Sequence, residues 1–289
     1  MHPLTDWTID PVPLVLCLAA AGLYAAGMRR LAHRGRRWSR SRAASFFAGT
    51  VVLLVATQSF IGVYDQALFS LHVVQHVLLG IAGPFFLALG APVTLALQAS
   101  HRSTQVNLLR VIRSAPARFL THPAVALGLF SATLFVLYFS PLYELSLRNA
   151  AVHGWVHLHF VVVGSLFFWV TIGLDPVANR VPHGARLLIV LITVPFHAFL
   201  GLALLTGSHP LAESFYATVV RPVASAPIDD QRTGAAIMWM VGDAFGLIAA
   251  LIVAQQWFRH EERRSHRLDR ALDRDMMAAE GRDEETAST

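Results

Sequence analysis

Apolar residues occur along this chain in long runs, separated by short polar segments that are rich in arginine. A run of about 20 apolar residues predicts a helix that crosses a bilayer, because each residue advances a helix by about 1.5 Å. The sequence predicts seven such spans, at residues 12–28, 44–63, 72–98, 122–140, 155–174, 186–206 and 234–257. We therefore expect an all-α integral membrane protein whose seven-helix membrane domain covers residues 1–258.

Composition supports this class and changes the interpretation of the charge. Hydrophobic residues make up 55% of the 289 residues and charged residues 14%, where a soluble domain carries about 25% charged residues. The net charge of +5 could indicate a nucleic-acid partner, but all 23 basic residues are arginines that flank the apolar runs. That placement is typical of membrane orientation, so we expect the lipid bilayer as a partner and no nucleic acid.

The distribution of arginine predicts the orientation. The first apolar run precedes its basic residues, which favours an uncleaved anchor with an external N-terminus. The cytoplasmic segments would then hold 20 of the 23 arginines, and the external loops would hold Arg148, Arg221 and Arg232. Seven spans place the C-terminus in the cytoplasm, and we expect a multi-pass protein of the plasma membrane.

Two segments outside the spans have patterns of their own. Residues 103–113 place apolar side chains on one face beside arginines, which predicts a short helix at the membrane surface. Residues 259–289 interleave arginine with acidic residues and then lose their apolar positions, which predicts a charged cytoplasmic tail that is partly disordered.

Candidate chemistry begins in the third span. His72 and His76 are four residues apart, which leaves their rings about 40° apart around a helix and roughly 6 Å apart along it. The span contains no other titratable side chain. Polar groups within a membrane usually face a partner, a cavity or an ion, so both rings could reach one ligand, although contact with lipid headgroups would also account for them.

With an external N-terminus, other polar side chains reach the same depth. His153, His157 and His159 begin the fifth span, His197 lies in the outer half of the sixth, and the seventh carries Met238 and Asp243. His157 and His159 are about 200° apart on a regular helix, so one of them should face elsewhere.

Each of these side chains also has a structural interpretation. His153 could be a loop residue, His197 could bond a neighbouring helix, and Met238 could be a packing residue. Imidazoles with nearby thioethers favour Cu(I). Haem is an alternative, although it normally takes axial histidines across a wide pocket rather than pairs on adjacent turns.

Four stretches also resemble a known family. They are HVVQHVLLGIAGPFFLALGAPVTLAL in the third span, HLHFVVVGSLFFWVTIGLDP in the fifth, PFHAFLG in the sixth and DDQRTGAAIMWMVGD at the seventh. Together, over about residues 45–255, the chain resembles the CtaG-type cytochrome c oxidase assembly factors of Gram-positive bacteria. The resemblance implies a seven-helix bacterial membrane protein that assists assembly of a caa(3)-type haem-copper oxidase, with oxidase subunits as partners and copper handled at the outer face.

The resemblance also implies a set of functional positions, which are His72, His76, His159, His197, Asp230, Gln231 and Met238. Asp243 stands where the family commonly has an acidic residue. Separately, Pro84 and Pro92 should kink the third helix near Ala82 and again near Gly90, because proline removes a backbone donor and clashes with the preceding turn.

The favoured hypothesis is a non-enzymatic assembly factor that holds Cu(I) through His72, His76, His159 and either His157 or His197. Asp243 would hold a proton or orient a ring, and Met238, Asp230 and Gln231 would surround the ligands. Two alternatives stay open: a copper or proton transporter, and a membrane haem protein. The sequence has no CxxCH for covalent haem and no pairing of a nucleophile with a base that would predict an enzyme.

Overall fold

A computed structural model describes residues 6–287, with side chains described over residues 6–270. Within that part of the chain the secondary structure is entirely helical, and helices account for 80% of the protein. In chain order they are α1 Pro11–His33, α2 Arg40–Gln58, α3 Phe60–Tyr64, α4 Phe69–Val77, α5 Gly83–Leu89, α6 Pro92–Ala99, α7 Arg102–Ile112, α8 Ala115–Leu120, α9 Pro123–Tyr138, α10 Leu142–Arg148, α11 Ala150–Ile172, α12 His183–Thr206, α13 Glu213–Tyr216 and α14 Pro227–Ala287.

Six helical stretches among the described residues are long and apolar enough to cross a membrane. They coincide with all the predicted spans except the fourth, so the all-α membrane class is confirmed. In the fourth, α9 has 16 residues and meets α10 at an angle of 69°. The bent pair brings the number of crossings to seven if it forms a single span.

The third span changes geometry where its prolines predict it. α4 passes into a π-helical segment, Leu78–Ala82, immediately before the Gly83 and Pro84 pair. Farther on, α5 ends at Leu89, and Ala91 adopts a left-handed conformation with φ of 48°. Both changes lie where the prolines were predicted to act, and kinking of the helix at these points stays a prediction. In the sixth span, by contrast, α12 continues through Pro195 without a break.

The two segments outside the spans are also helical. The predicted surface helix forms α7. The seventh span begins at Pro227, seven residues before its predicted start, and runs without interruption into the charged tail as far as Ala287. Helical structure therefore extends beyond the point where the sequence predicted that order would end, and residues 288–289 lie outside the described part of the chain.

Hydrogen bonds draw the ends of neighbouring helices together at one end of the bundle. The backbone N–H of Asp10 donates to the side chain of Gln58 at 2.9 Å, and the N–H of Phe69 donates to Asp230 at 2.7 Å. The first contact connects the start of α1 with the end of α2, and the second connects the start of α4 with the start of α14. We call this the histidine end, and its connecting segments are residues 6–10, 59–68, 139–149 and 207–226.

The opposite end is held in the same way. Asp175 accepts a hydrogen bond from the N–H of Thr94 at 2.6 Å, and Arg34 donates to the backbone oxygen of Ser100 at 3.3 Å. We call this the arginine end, and its segments are residues 34–39, 100–122, 173–182 and the part of α14 beyond 257. Successive spans alternate in direction, which gathers 18 of the 21 arginines within residues 6–270 at or next to this end.

The main apolar core lies between α4, α5, α9, α11, α12 and α14. A smaller cluster joins α1, α2 and α6 around Tyr24 and Phe46, whose rings stack at a centroid distance of 3.9 Å. Much of α1 is exposed, with buried positions at Cys17, Tyr24 and Leu31. The third span is therefore the central element, and its histidines face the main core rather than lipid.

Candidate metal site

Two pairs of histidines face each other at the histidine end of the bundle. His72 and His76 lie on adjacent turns of α4 with ring centroids 4.2 Å apart, and His153 and His157 lie on adjacent turns of α11, also 4.2 Å apart. The rings of His72 and His153 stack at 5.3 Å, and those of His76 and His157 are 5.6 Å apart. The pairing of two helices therefore brings four imidazoles into one cluster.

Two glycines permit this close approach of α11 to the third span. A Cβ atom on Gly164 would lie 2.0 Å from the backbone oxygen of Gly80, which is in the π-helical segment directly after α4. A Cβ atom on Gly80 would in turn lie 2.7 Å from the ring of Phe160, which stacks against His76 at 4.5 Å. The backbones thus touch one or two turns below the histidines, and this contact sets the spacing of the cluster.

The distances between donor atoms suit a single ion. One ligand atom from each of His72, His76 and His153 lies within 4.8 Å of the others, and the same holds for Asp65, His153 and His157. Metal–nitrogen bonds of about 2.0–2.1 Å place two ligands at most about 4.2 Å apart. Small side-chain rotations would therefore bring either set to bonding distance, and His153 belongs to both.

The ring nitrogens have few protein partners. His72 is fully buried and His76 is 2% exposed, and no ring nitrogen of either is in a well-aligned hydrogen bond within the described residues, with the backbone of Asp65 as the polar group that approaches His72. The Nε2 atoms of His153 and His157 also have no hydrogen bond there. A buried polar atom without a partner costs about 1–3 kcal/mol. A bound ion would accept one lone pair from each neutral ring, so the residues fit a metal.

A carboxylate completes the cluster. Asp65 precedes α4, is 6% exposed, and places Oδ2 at 3.7 Å from Nε2 of His153. Burial raises the pKa of Asp65 to about 7, because desolvation outweighs the hydrogen bonds from Gln75 and from the backbone of Gln66. The side chain of Gln66 lies 3.3 Å from Nδ1 of His153, and this contact orients the ring. A cation beside Asp65 would favour its ionised form.

His159 and His197, both predicted as ligands, are outside this cluster. Nε2 of His159 lies 2.9 Å from the hydroxyl of Thr133 on α9, because the ring is about 200° around α11 from His157. The ring of His197 lies 5.9 Å from that of Phe130 and next to Gly242. The structure does not bring these two residues to the third-span pair, whereas it does bring His157 there. Metal binding by these histidines stays a prediction.

Asp243 and Met238 differ in their relation to the cluster. Asp243 accepts a hydrogen bond from the indole N–H of Trp239 at 2.8 Å, within one turn of α14, and has no described contact with the histidines. Met238 is 1% exposed and lines a cavity of about 20 Å³ together with His76. The thioether is thus close to the site, and the predicted role of Asp243 in orienting a ligand is not supported by its contacts.

Asp230 and Gln231 position helices. Asp230 accepts hydrogen bonds from the backbone of Phe69 at 2.7 Å and the hydroxyl of Ser70 at 2.5 Å, which caps the start of α4. Gln231 accepts from the N–H of Leu211 at 2.6 Å and donates to the oxygen of Leu204 at 3.1 Å. These residues hold α4 and the end of α12 against α14, instead of contacting the imidazoles.

Sequence reasoning missed Asp65 and undervalued His153. Asp65 is the one acidic residue between the second and third predicted spans, seven residues before His72, and that isolated carboxylate was the available signal. His153 lies one turn before His157, the same spacing as the pair in the third span. The repeated spacing could have favoured His153 over His159.

The fold and this cluster define a multi-pass helical membrane protein with a buried histidine site at one end of its bundle. Residues 22–260 match the family described as cytochrome c oxidase caa3 assembly factor (Caa3_CtaG), and the chain belongs to that family. The predicted family is therefore confirmed, as is the assignment to a bacterial membrane.

Curated relatives come from mycobacteria. The uncharacterized protein Mb0105 of Mycobacterium bovis is 34% identical over 284 residues, which cover 94% of this chain and 42% of that protein. The uncharacterized protein ML1998 of Mycobacterium leprae is 32% identical over 276 residues, which cover 93% of this chain and 42% of that protein. This chain thus spans about two fifths of the length of these relatives. No solved structure matches it.

Proposed function

We propose that this protein assists assembly of a caa3-type cytochrome c oxidase by holding copper in transit at the histidine end. The observation that carries the proposal is the cluster of His72, His76 and His153, whose ligand atoms lie within 4.8 Å of one another. Membership of the assembly-factor family supports the oxidase as the protein that receives the copper. Copper is cargo in this proposal, bound and released rather than retained.

The donor set supports Cu(I) as the ion. Imidazoles bind Cu, Zn, Fe and Ni, and a thioether nearby favours Cu(I). Met238 borders the same small cavity as His76, so its sulfur is a soft group beside the proposed site. Asp65 would balance the charge of the bound ion through its contact with His153.

The two other functions receive less support from the geometry. A haem needs a wide pocket with axial ligands. The cavity beside His76 measures about 20 Å³, which is room for roughly one water, and the larger cavity beside His157, of about 680 Å³, has that residue as the one histidine of its wall. A transporter needs polar groups along its length, and the wall of the larger cavity between Asp10 and Asp175 is mainly apolar, with Leu53, Leu79 and Leu87 among its residues. We therefore favour a carrier over a transporter or a haem protein.

Metal analysis of the purified full-length protein tests the proposal. After loading with Cu(I) under reducing conditions and removal of weakly held ion, we expect about one copper per chain, since the two donor sets share His153. Substituting His76→Ala together with His153→Ala should reduce bound copper to background. The matched control is His159→Ala, which removes an imidazole from the same helix but outside the cluster and should leave the copper content unchanged.

Two further measurements separate the alternatives. Copper held equally by the double variant and the native protein would contradict the proposed ligands, and copper accumulating inside proteoliposomes would indicate a transporter. In a host that lacks its own copy, the native protein and His159→Ala should restore active caa3 oxidase. The His76→Ala and His153→Ala double variant should not.

A further inference from the structure

Arginines surround a cavity at the arginine end, at the opposite pole from the histidines. The cavity measures about 1100 Å³ and lies between α7, the segment 173–182, the start of α12 and α14 just beyond its span. Its wall contains six arginines from five segments of the chain, which are Arg42, Arg113, Arg180, Arg186, Arg259 and Arg263. Orientation in a membrane requires basic loops on one side, but it does not require them to converge on one concave space.

Arg186 is the buried member of this group. It is 6% exposed, and Nη1 donates to the backbone oxygen of Ile172 at 3.0 Å and to the side chain of Gln256 at 3.1 Å. Its Nε atom is buried and has no partner among the described residues. A buried charge without a counter-charge costs free energy, so binding of an anion beside this guanidinium would be favourable.

The protein supplies little counter-charge within the cavity. Asp175 is the acidic residue of its wall, and its oxygens accept hydrogen bonds from Val93 and from the backbone and hydroxyl of Thr94. Over residues 6–270, none of the six arginines forms an ion pair with a carboxylate. An excess of positive charge therefore faces the cavity.

Part of the wall is apolar. Leu109 and Ile112 of α7 and Val170 near the end of α11 border the same space. α7 presents Ile112 to the protein while Val106 and Val111 are exposed, as expected for a helix at a membrane surface. A ligand that is anionic at one point and apolar beside it matches both parts of the wall.

We propose that this cavity binds the phosphate of an anionic phospholipid. Arginine binds phosphate oxygens through paired N–H donors, and basic pockets between membrane helices bind lipid headgroups. Arg186 would contact the phosphate from below, the exposed arginines would enclose it, and the acyl chains would follow the apolar side. The site is independent of the histidine cluster and does not require copper.

Binding by the delipidated full-length protein tests this site. Native mass spectrometry during titration with dioleoylphosphatidylglycerol should show a bound lipid, whereas dioleoylphosphatidylcholine should bind at least tenfold more weakly. The triple variant Arg113→Gln, Arg180→Gln, Arg263→Gln removes exposed arginines of the wall and should weaken binding of phosphatidylglycerol at least tenfold. Arg186→Gln is reserved for confirmation, since it also removes the bonds to α11 and α14.

A matched triple variant controls for overall charge. Arg30→Gln, Arg37→Gln, Arg267→Gln removes three exposed arginines at the same end that do not border the cavity, and should change affinity less than twofold. Equal weakening in both triple variants, or equal binding of the two lipids, would overturn the site.

Inorganic phosphate is titrated in parallel. Binding of phosphate alone as tightly as phosphatidylglycerol would overturn the assignment to lipid and leave a soluble anion as the ligand.

Discussion

A buried imidazole that lacks hydrogen bonds is unusual, because each ring nitrogen loses its water on folding and needs a replacement. The cluster contains six such nitrogens, both from His72 and His76 and one each from His153 and His157. His159, on the same helix, is satisfied by the hydroxyl of Thr133. The missing partners separate the cluster from His159 but not from His197, whose two ring nitrogens are also buried and without hydrogen bonds within the described residues. The mutual proximity of the donor atoms is therefore what defines the candidate ligands.

Asp65→Asn should weaken copper binding without moving the histidines. The substitution keeps the shape of the side chain and removes a negative charge that lies 3.7 Å from Nε2 of His153. At an effective dielectric constant of about 20, a charge roughly 5 Å from the ion contributes about 3 kcal/mol, so we expect affinity to fall by at least about tenfold. A competition titration with a Cu(I) chelator measures this change.

Asp10→Asn is the matched control for that titration. Asp10 is also at the histidine end, where it caps α1 by accepting from the N–H of Val12. It has no described contact with the cluster, so its charge should affect the chelator titration by less than about twofold at physiological salt. Equal effects of the two substitutions would show that Asp65 acts only through the overall negative charge at the histidine end, and not through its contact with His153.

Asp230→Ala should lower the stability of the native bundle. Loss of the side chain removes the cap of α4, with its bonds from Phe69 and Ser70, and leaves Arg221 without its ion pair at 3.3 Å. Loss of a cap costs about 0.5–2 kcal/mol, and we expect a lower midpoint of thermal unfolding in detergent.

The neighbouring residue provides the control. Asp229→Ala removes an exposed carboxylate that pairs with the exposed Arg232, and such surface pairs contribute about 0–1 kcal/mol. An equal loss of stability in both variants would contradict the capping role of Asp230.

The local part of the site could be predicted from helix periodicity, and the part that depends on packing could not. Periodicity placed His72 and His76 on one face and required His157 and His159 to diverge. It could not decide which of the latter faces α4, since that depends on how α11 rotates against its neighbour. His197 was grouped with them by depth alone, and depth does not specify direction around the axis.

At the scale of helices, the third span allows a close approach of α11, because glycines lie at their contact. Prolines predicted where its geometry would change, because their effect on the backbone is local. The π-helical form of Leu78–Ala82 and its contact with α11 were not predictable, since they depend on a glycine more than 80 residues away. The same limit applies to the fourth span, whose apolar run predicted a helix but not the bend between α9 and α10.

Gly164→Ala should disrupt both the packing and the site. The added Cβ would lie 2.0 Å from the oxygen of Gly80, so α11 must move away from the third span and carry His153 and His157 with it. Overpacking of this kind costs about 1–3 kcal/mol, and we expect both a lower unfolding midpoint and loss of bound copper.

Gly154→Ala provides the comparison on the same helix. No atom lies within 4 Å of a Cβ at this position, so the substitution should be neutral or slightly stabilising, in keeping with the higher helix propensity of alanine. If Gly164→Ala behaved in the same way as Gly154→Ala, the backbone contact would not set the spacing of the cluster.

At the scale of the whole molecule, the two ends of the helix bundle differ in their charged and polar groups. The histidine end contains the carboxylate and the imidazoles of the candidate site, and the arginine end contains the basic cavity. Composition and the placement of arginine predicted this division, because charge asymmetry between successive loops can be read from a single chain. The convergence of arginines on a cavity could not be read in this way, since it requires five separate segments to meet.

Labelling of intact cells tests which end is external. In a Cys17→Ala background, Ser208→Cys places an exposed thiol at the histidine end and Ser103→Cys places one at the arginine end. Because positively charged segments are retained in the cytoplasm, a membrane-impermeant maleimide should label the cysteine at 208 and not the one at 103. After the membrane is permeabilised, both cysteines should react, which controls for accessibility. Labelling at 103 in intact cells would place the histidine cluster on the cytoplasmic side, where it could not hand copper to an acceptor outside.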